Sequence, residues 1–138
     1  MNINFYVGRS SHLRYRLRFA CKLVEKALAQ QLSCYIHTDS LRSCEYMDDM
    51  LWTYRDISFI PHAIYPSETD LPVLLGYQDE EPPQADFLIN LSNKSPHFLN
   101  RFDKVAEVLD QEVKILQAGR KRYAYYREQG YTLKYYQL

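Results

Sequence analysis

The amino-acid sequence predicts an α/β protein that folds as one domain over residues 1–138, a three-layer sandwich with a largely parallel sheet. Short apolar runs alternate along the chain with longer stretches whose apolar residues follow the helical period. The first apolar run ends at a glycine followed by serines, as strand-to-helix turns in doubly wound folds do. A length of 138 residues suits one domain with its own core, and no repeat or linker divides the chain.

The first half of the chain is predicted to alternate strands and helices. Apolar side chains at Leu13, Leu17 and Val24 give the first helix a buried face. The expected elements are a strand over residues 3–8, a helix over 12–31 capped by Ser10 or Ser11, a strand over 33–38, a helix from a cap at Asp39 or Ser40 to about Tyr54, and an extended stretch over 59–65.

The second half continues the alternation and ends in a basic helix. The run over 87–91 is apolar enough for a central strand, and Gly130 suits the left-handed residue that ends a helix. The expected elements are strands over 73–77 and 87–91, an acidic loop over 78–84, a helix over 98–110, a short strand over 113–116, the basic helix from about 119, and an edge strand over 132–136.

The net charge of zero hides a strong segregation of charge along the chain. Residues 1–31 carry six basic and one acidic side chain, a net +5, and residues 114–138 carry the same. The middle, residues 32–113, carries five basic and fifteen acidic side chains, a net −10. If the two ends meet in space, the fold has a basic side and an acidic side, which suits two different partners.

Several signals place the protein in the cytoplasm. The three cysteines are widely spaced and odd in number, as expected of reduced thiols in an intracellular protein. The N-terminus lacks the pattern of a signal peptide, and no apolar run approaches the length of about 20 residues that a membrane span needs. We therefore expect a soluble cytoplasmic protein.

Motifs for catalysis, cofactors or metals are absent from the sequence. The turn over residues 8–12 reads GRSSH, which is neither a dinucleotide nor a P-loop phosphate motif. The four histidines lack the spacing of a zinc site, and no nucleophile elbow occurs. We expect a protein without catalytic residues, cofactor or metal.

Two stretches remain as candidate interaction sites. In the basic helix, Arg120, Tyr123 and Arg127 share one face, which is either a solvated amphipathic surface or a site for an acidic, aromatic or nucleic-acid partner. The other stretch combines Trp52, the only tryptophan, with the segment over residues 58–62, which holds one phenylalanine and a bend fixed by one proline. It is either a core anchor or an exposed patch for a partner.

The chain resembles the chi subunit of bacterial DNA polymerase III holoenzyme over essentially its whole length. The matching segments are INFY at residues 3–6, LW at 51–52, SFIPH at 58–62, FLINLS at 87–92 and RKRYAYYREQGY at 120–131. The resemblance implies a fold related to nucleotide-binding folds but lacking their phosphate loop. It also implies a non-catalytic clamp-loader accessory that bridges the psi subunit to the acidic C-terminal tail of single-stranded DNA-binding protein, which ends in Pro-Phe.

The resemblance also assigns residues to each partner. Arg120 matches the position expected to meet the tail carboxylate, and Tyr123 matches the ring that walls the slot for the terminal Phe. The tail site further includes Lys121, Arg127 and Tyr131, with Arg122 as another cation for the tail's aspartates. Trp52, Phe59 and Pro61 match the family surface for psi, which a helicase could share.

The chain departs from the family pattern at one position of the tail site. The family can show a lysine one turn before Arg120, whereas this chain has Leu116, and Lys114 is a candidate to replace that charge.

The alternative function is a direct single-stranded nucleic-acid binder that uses the Arg- and Tyr-rich C-terminal helix.

Overall fold

The computed structural model of the chain describes residues 1–54, 60–67 and 69–138. These residues form seven strands, three α-helices and one short 3-10 helix. In chain order they are β1 (Asn2–Val7), α1 (Leu13–Ala29), β2 (Cys34–His37), α2 (Leu41–Thr53), β3 (His62–Ile64), β4 (Val73–Gly76), β5 (Phe87–Asn90), the 3-10 helix (Leu99–Arg101), β6 (Lys104–Leu109), α3 (Val113–Glu128) and β7 (Thr132–Gln137).

The strands form one parallel sheet in the order β3-β4-β2-β5-β6-β1-β7. Every neighbouring pair is parallel, so the predicted largely parallel sheet is confirmed. The first and last strands pair side by side, with Asn2 opposite Thr132 and Val7 opposite Gln137. The edge position predicted for the last strand is also confirmed, and the two basic ends of the chain meet in space.

Helices cover both faces of this sheet and give the three predicted layers. On one face α1 and α2 pack over a core that includes Leu17, Val24 and Met47, all buried. On the other face α3 and the 3-10 helix pack over a second core, which includes Phe5 and Phe102. The central strands are apolar because both of their faces are buried.

The α-helix predicted over 98–110 is wrong, because Lys104–Leu109 form β6 and the earlier part contains only the 3-10 helix Leu99–Arg101. Phe102, Val105, Ala106 and Leu109 fit a helical period, but all four are buried, and the last three belong to a strand that packs on both faces. Glu107, which follows Ala106, is a buried strand residue that points toward α3, where an arginine neutralises its charge.

The short strand predicted over 113–116 is also wrong, since these residues are the first turn of α3. The side chain of Glu112 accepts a hydrogen bond from the backbone N–H of Ile115 and caps the helix there. This cap outweighs the β-branched residues Val113 and Ile115, which favour a strand only weakly.

The predicted helix ends are partly correct. Ser40 caps α2 by accepting the N–H of Ser43, and Gly130 has the left-handed φ of 85° expected after α3. Neither Ser10 nor Ser11 caps α1, which begins after His12 without a side-chain cap. Ser10 lies too early in the chain and accepts the N–H of His12 instead.

Candidate protein-binding surfaces

The three consecutive cations of α3 lie in three different environments. Successive helical residues are rotated by about 100° around the axis, so neighbouring side chains face different surroundings. Arg120 is exposed and lies at the rim of a pocket, Lys121 is exposed to solvent, and Arg122 is buried beneath the helix. Only the first two are therefore available to a partner, and the expectation that Arg122 would attract an acidic tail is wrong.

An apolar pocket of about 180 Å³ lies between α3 and the β6-β1-β7 edge of the sheet. We call it the Arg120 pocket. Its lining residues are Phe5, Val7, Leu109, Leu116, Gly119, Arg120, Tyr123 and Tyr135. Leu116, at the position where the family can have lysine, forms part of the apolar wall. Among the lining side chains, the polar groups are the guanidinium of Arg120 and the tyrosine hydroxyls. The pocket therefore suits a ligand that has an apolar group next to an anion.

Gly119 allows α3 to lie close to the sheet at the pocket. A Cβ at this position would lie 2.3 Å from Cδ1 of Leu109, which is far inside van der Waals contact. The glycine is therefore explained by close helix–strand packing.

Tyr123 and Arg127 extend the same face of α3, as the sequence predicted for residues three and seven positions after Arg120. The ring of Tyr123 packs edge-on against Phe5, with 5.1 Å between ring centroids. The Cζ atom of Arg127 lies 5.9 Å from the centroid of the Tyr123 ring, within cation–π range. The exposed Arg127 therefore adds positive charge beside the pocket.

Tyr131 occupies a different position from the other predicted tail-site residues. It packs against Tyr126, with 6.0 Å between ring centroids, and its hydroxyl donates a hydrogen bond of 2.6 Å to Oδ1 of Asn100. These contacts connect the end of α3 to the 3-10 helix.

A buried polar network anchors α3 to the sheet, and sequence reasoning missed it. Glu107 is completely buried, and Arg122 donates to it through Nη2 at 2.9 Å and through Nε at 3.2 Å. Tyr126 donates its hydroxyl proton to the same carboxylate at 2.7 Å, and Asn90 donates from its side-chain amide at 3.1 Å. Burial, followed by the charge of Glu107, raises the pKa of Tyr126, so the phenol remains a donor.

The sequence contained a faint signal for this network. Arg122 and Tyr126 are one helical turn apart, and Glu107 is a single acid within an apolar run. The pairing joins residues 15 positions apart, and the helix predicted over 98–110 gave no reason to expect it.

Trp52 and Pro61 form an exposed surface at the opposite edge of the sheet, which we call the Trp52 patch. Trp52 is 54% exposed, so the core-anchor alternative is wrong for this residue. Its ring lies over the buried His62, with 4.4 Å between centroids. Pro61 is exposed as well, whereas Phe59 lies outside the described residues.

His62 and Asp48 support the Trp52 ring from below. The Nδ1 atom of His62 lies 2.8 Å from the carbonyl oxygen of Ile60, and its Nε2 atom lies 3.5 Å from Oδ1 of Asp48. Burial raises the pKa of Asp48, while His62 and a hydrogen bond from Trp52 act in the opposite direction. The Trp52 ring therefore packs against a buried side chain while about half of the residue stays exposed.

The Arg120 pocket and the Trp52 patch lie toward opposite edges of the sheet. The pocket uses β6, β1 and β7, while the patch borders β3 at the other edge of the sheet. Six interstrand spacings separate β3 from β7, or roughly 29 Å at about 4.8 Å each.

The three cysteines of the chain are buried. Burial raises the pKa of both Cys21 and Cys34 to about 12, and that of Cys44 is also raised, so none of these thiols is an activated nucleophile. Within residues 1–54, 60–67 and 69–138, no group of three His, Cys, Asp or Glu side chains could hold a metal ion. No helix in the same ranges is long and apolar enough to cross a bilayer.

Comparison with known proteins confirms the resemblance seen in the sequence motifs. The family described as DNA polymerase III chi subunit, HolC, matches residues 1–134. DNA polymerase III subunit chi of Pseudomonas aeruginosa is 38% identical over 136 residues, which cover 99% of this chain and 96% of that protein. The chi subunit of Haemophilus influenzae is 27% identical over 133 residues, covering 86% of this chain and 91% of that protein. The chain therefore belongs to the chi-subunit family of DNA polymerase III.

Proposed function

We propose that this chi-family protein is a non-catalytic adaptor of the replicative clamp loader. The adaptor works in the cytoplasm and needs no cofactor. In this role it bridges the psi subunit to the acidic C-terminal tail of single-stranded DNA-binding protein. The observation that carries the proposal is the Arg120 pocket, an apolar cavity with an exposed guanidinium at its rim.

The Arg120 pocket has the chemistry that a peptide ending in Pro-Phe requires. A terminal phenylalanine ring needs an apolar slot, and its carboxylate needs a cation within reach of that slot. Tyr123, Leu116 and Phe5 supply apolar walls, and Arg120 supplies the cation. The exposed Lys121 and Arg127 then attract the upstream acidic residues and increase the rate of encounter.

The Trp52 patch is the proposed surface for psi. An exposed tryptophan held rigidly by its neighbours is a typical energetic anchor of a protein interface. Trp52 meets this description because His62 and Asp48 hold its ring while half of it stays exposed. Pro61 adds exposed area, and Phe59 is proposed to extend the surface. A helicase that uses the same patch would compete with psi.

A peptide titration tests the proposed tail site. A peptide with the acidic tail sequence ending in Pro-Phe should bind, and the same peptide without its final Phe should bind about tenfold to a hundredfold more weakly, because a buried Phe side chain contributes about 1.5–3 kcal/mol. Isothermal titration calorimetry at moderate salt measures both affinities.

A third peptide separates the two parts of this recognition. Amidation of the C-terminus retains the ring but removes the carboxylate, so it should weaken binding while leaving the apolar contribution. If all three peptides bind equally, or if none binds, the pocket does not recognise a terminal Phe and the adaptor function proposed here is wrong.

A further inference from the structure

The sheet face opposite the Arg120 pocket carries a second groove, which runs beside α1. The helix packs mainly against β2 and β6, so on this face it covers β1 and β7 less than it covers those two strands. Two adjoining depressions of about 330 and 230 Å³ follow the helix, the first near the carboxyl ends of the strands and the second near their amino ends. The packed rings of Phe19 and Tyr6, one from each depression, join them. We call the whole feature the α1 groove.

Exposed cations line both walls of the α1 groove. Arg18, Lys22 and Lys26 follow one another at intervals of four residues along α1, each about 6 Å farther along the axis. Lys104 and Lys134 face them from the sheet. Arg9 lies at the carboxyl end.

Few negative charges offset these cations. Among the described residues that line the groove, Asp110 is the one acidic side chain; it is buried, accepts the N–H of Glu112 and lies beside the buried Arg16. At the carboxyl end, Nε of Arg9 donates to the main-chain oxygen of Leu138 at 2.6 Å. Although the net charge of the whole chain is zero, the groove therefore carries an excess of positive charge. The groove lies where the two segments of net +5 meet, since β1 pairs with β7.

Aromatic rings lie between the two walls. Tyr6 stacks on Tyr136 with a centroid separation of 5.2 Å and an interplanar angle of 14°, and Phe19 packs against Tyr6 with a tilted ring at 5.2 Å. Tyr136 is 41% exposed, and Tyr15 at the carboxyl end is 58% exposed. Each presents ring surface that a planar ligand could cover.

We propose that the α1 groove binds single-stranded nucleic acid without regard to sequence. A regular row of cations matches a polymer whose negative charges are evenly spaced, and exposed rings between the rows allow bases to stack. An acidic peptide would satisfy the cations but would leave the exposed tyrosine rings without a matching partner. In a duplex the base faces are buried by stacking within the helix, so the tyrosine rings would have no base face to contact.

The small size of the groove leads us to expect a modest affinity for single-stranded nucleic acid. Six residues of β1 span about 20 Å, enough for a short stretch of strand such as the smallest sites of about 4 nucleotides. Binding that depends mainly on phosphate contacts has a Kd on the order of 10⁻⁴ to 10⁻⁶ M. Because the groove and the Arg120 pocket lie on opposite faces of the sheet, the two ligands should not compete.

Fluorescence anisotropy with labelled oligo(dT) of 15 nucleotides tests this site on the full chain. The triple variant K22A/K26A/K134A should bind at least tenfold more weakly at 50 mM salt. Three lost phosphate contacts should also reduce the slope of log K against log salt by about 2. All three lysines are exposed, so the melting temperature should stay close to that of the wild type.

Two further variants identify the ligand and the face. Tyr136→Ser should weaken oligo(dT) binding several-fold while leaving binding of an acidic glutamate peptide unchanged. The double variant K121A/R127A, which changes α3 on the other face, should bind oligo(dT) as the wild type does. The proposal is overturned if wild-type protein does not bind oligo(dT) at 50 mM salt, or if the triple variant binds it equally well. It is also overturned if the glutamate peptide binds more tightly than oligo(dT) and is lost in the triple variant, because the groove would then be a peptide site.

Discussion

Replacing Arg122 by methionine is expected to lower the free energy of unfolding by about 3–5 kcal/mol, the usual loss when one partner of a buried ion pair is removed. Glu107 is fully buried, and its carboxylate depends on Arg122 for its only ion pair among the described residues. Tyr126 and Asn90 would still donate hydrogen bonds, but neither carries a positive charge. The uncompensated anion would then lie beneath α3, between the helix and the sheet.

Urea unfolding followed by circular dichroism measures this loss, and the neighbouring residue provides a matched control. Lys121→Met makes a similar change on the exposed side of the same helix, and it should alter the free energy of unfolding by no more than about 0.5 kcal/mol. The double variant E107L/R122M removes both charges and should be more stable than R122M alone. Equal losses for R122M and K121M would show that the ion pair contributes nothing to the stability of the fold.

The alternation of strands and helices could be predicted because most elements have one simple periodicity. The central strands β2, β4 and β5 are short and apolar, and α1 has a clear apolar face. β6 could not be recognised in the same way, since its acidic residue is satisfied by an arginine 15 positions later in the chain. Local patterns do not report such long-range pairing, so a buried charge is read as an exposed one.

The candidate sites were predictable to a similar extent. The helical spacing placed Arg120 and Tyr123 on one face, and both line the pocket. The spacing could not reveal which neighbouring cation is buried, because α3 covers a polar network as well as apolar side chains. For Trp52 the sequence gave a buried and an exposed side chain as equal alternatives. Only the packing of His62 beneath the ring, seen in the structure, distinguishes between them.

Charge reversal at Arg120 is expected to weaken binding of the Pro-Phe tail peptide by more than a hundredfold. The change removes a charge-assisted hydrogen bond, which contributes about 1.5–3 kcal/mol, and adds repulsion between two carboxylates at the mouth of the pocket. A total loss above about 3 kcal/mol corresponds to more than about a hundredfold in Kd. Calorimetric titration of Arg120→Glu with the tail peptide measures the effect, and psi binding should be unchanged because the Trp52 patch lies at the other edge of the sheet.

Lys121→Glu is the matched control, because it places the same charge one residue further along α3, facing solvent rather than the pocket. Its effect should be only a few-fold and should largely disappear at 0.5 M salt, where exposed charges more than about 5 Å apart are screened. The loss in Arg120→Glu should persist at that salt, since the tail carboxylate would have to sit against the new glutamate. If both variants lose affinity equally and both recover it in salt, the tail is held by diffuse charge on α3, and Arg120 has no special position at the pocket.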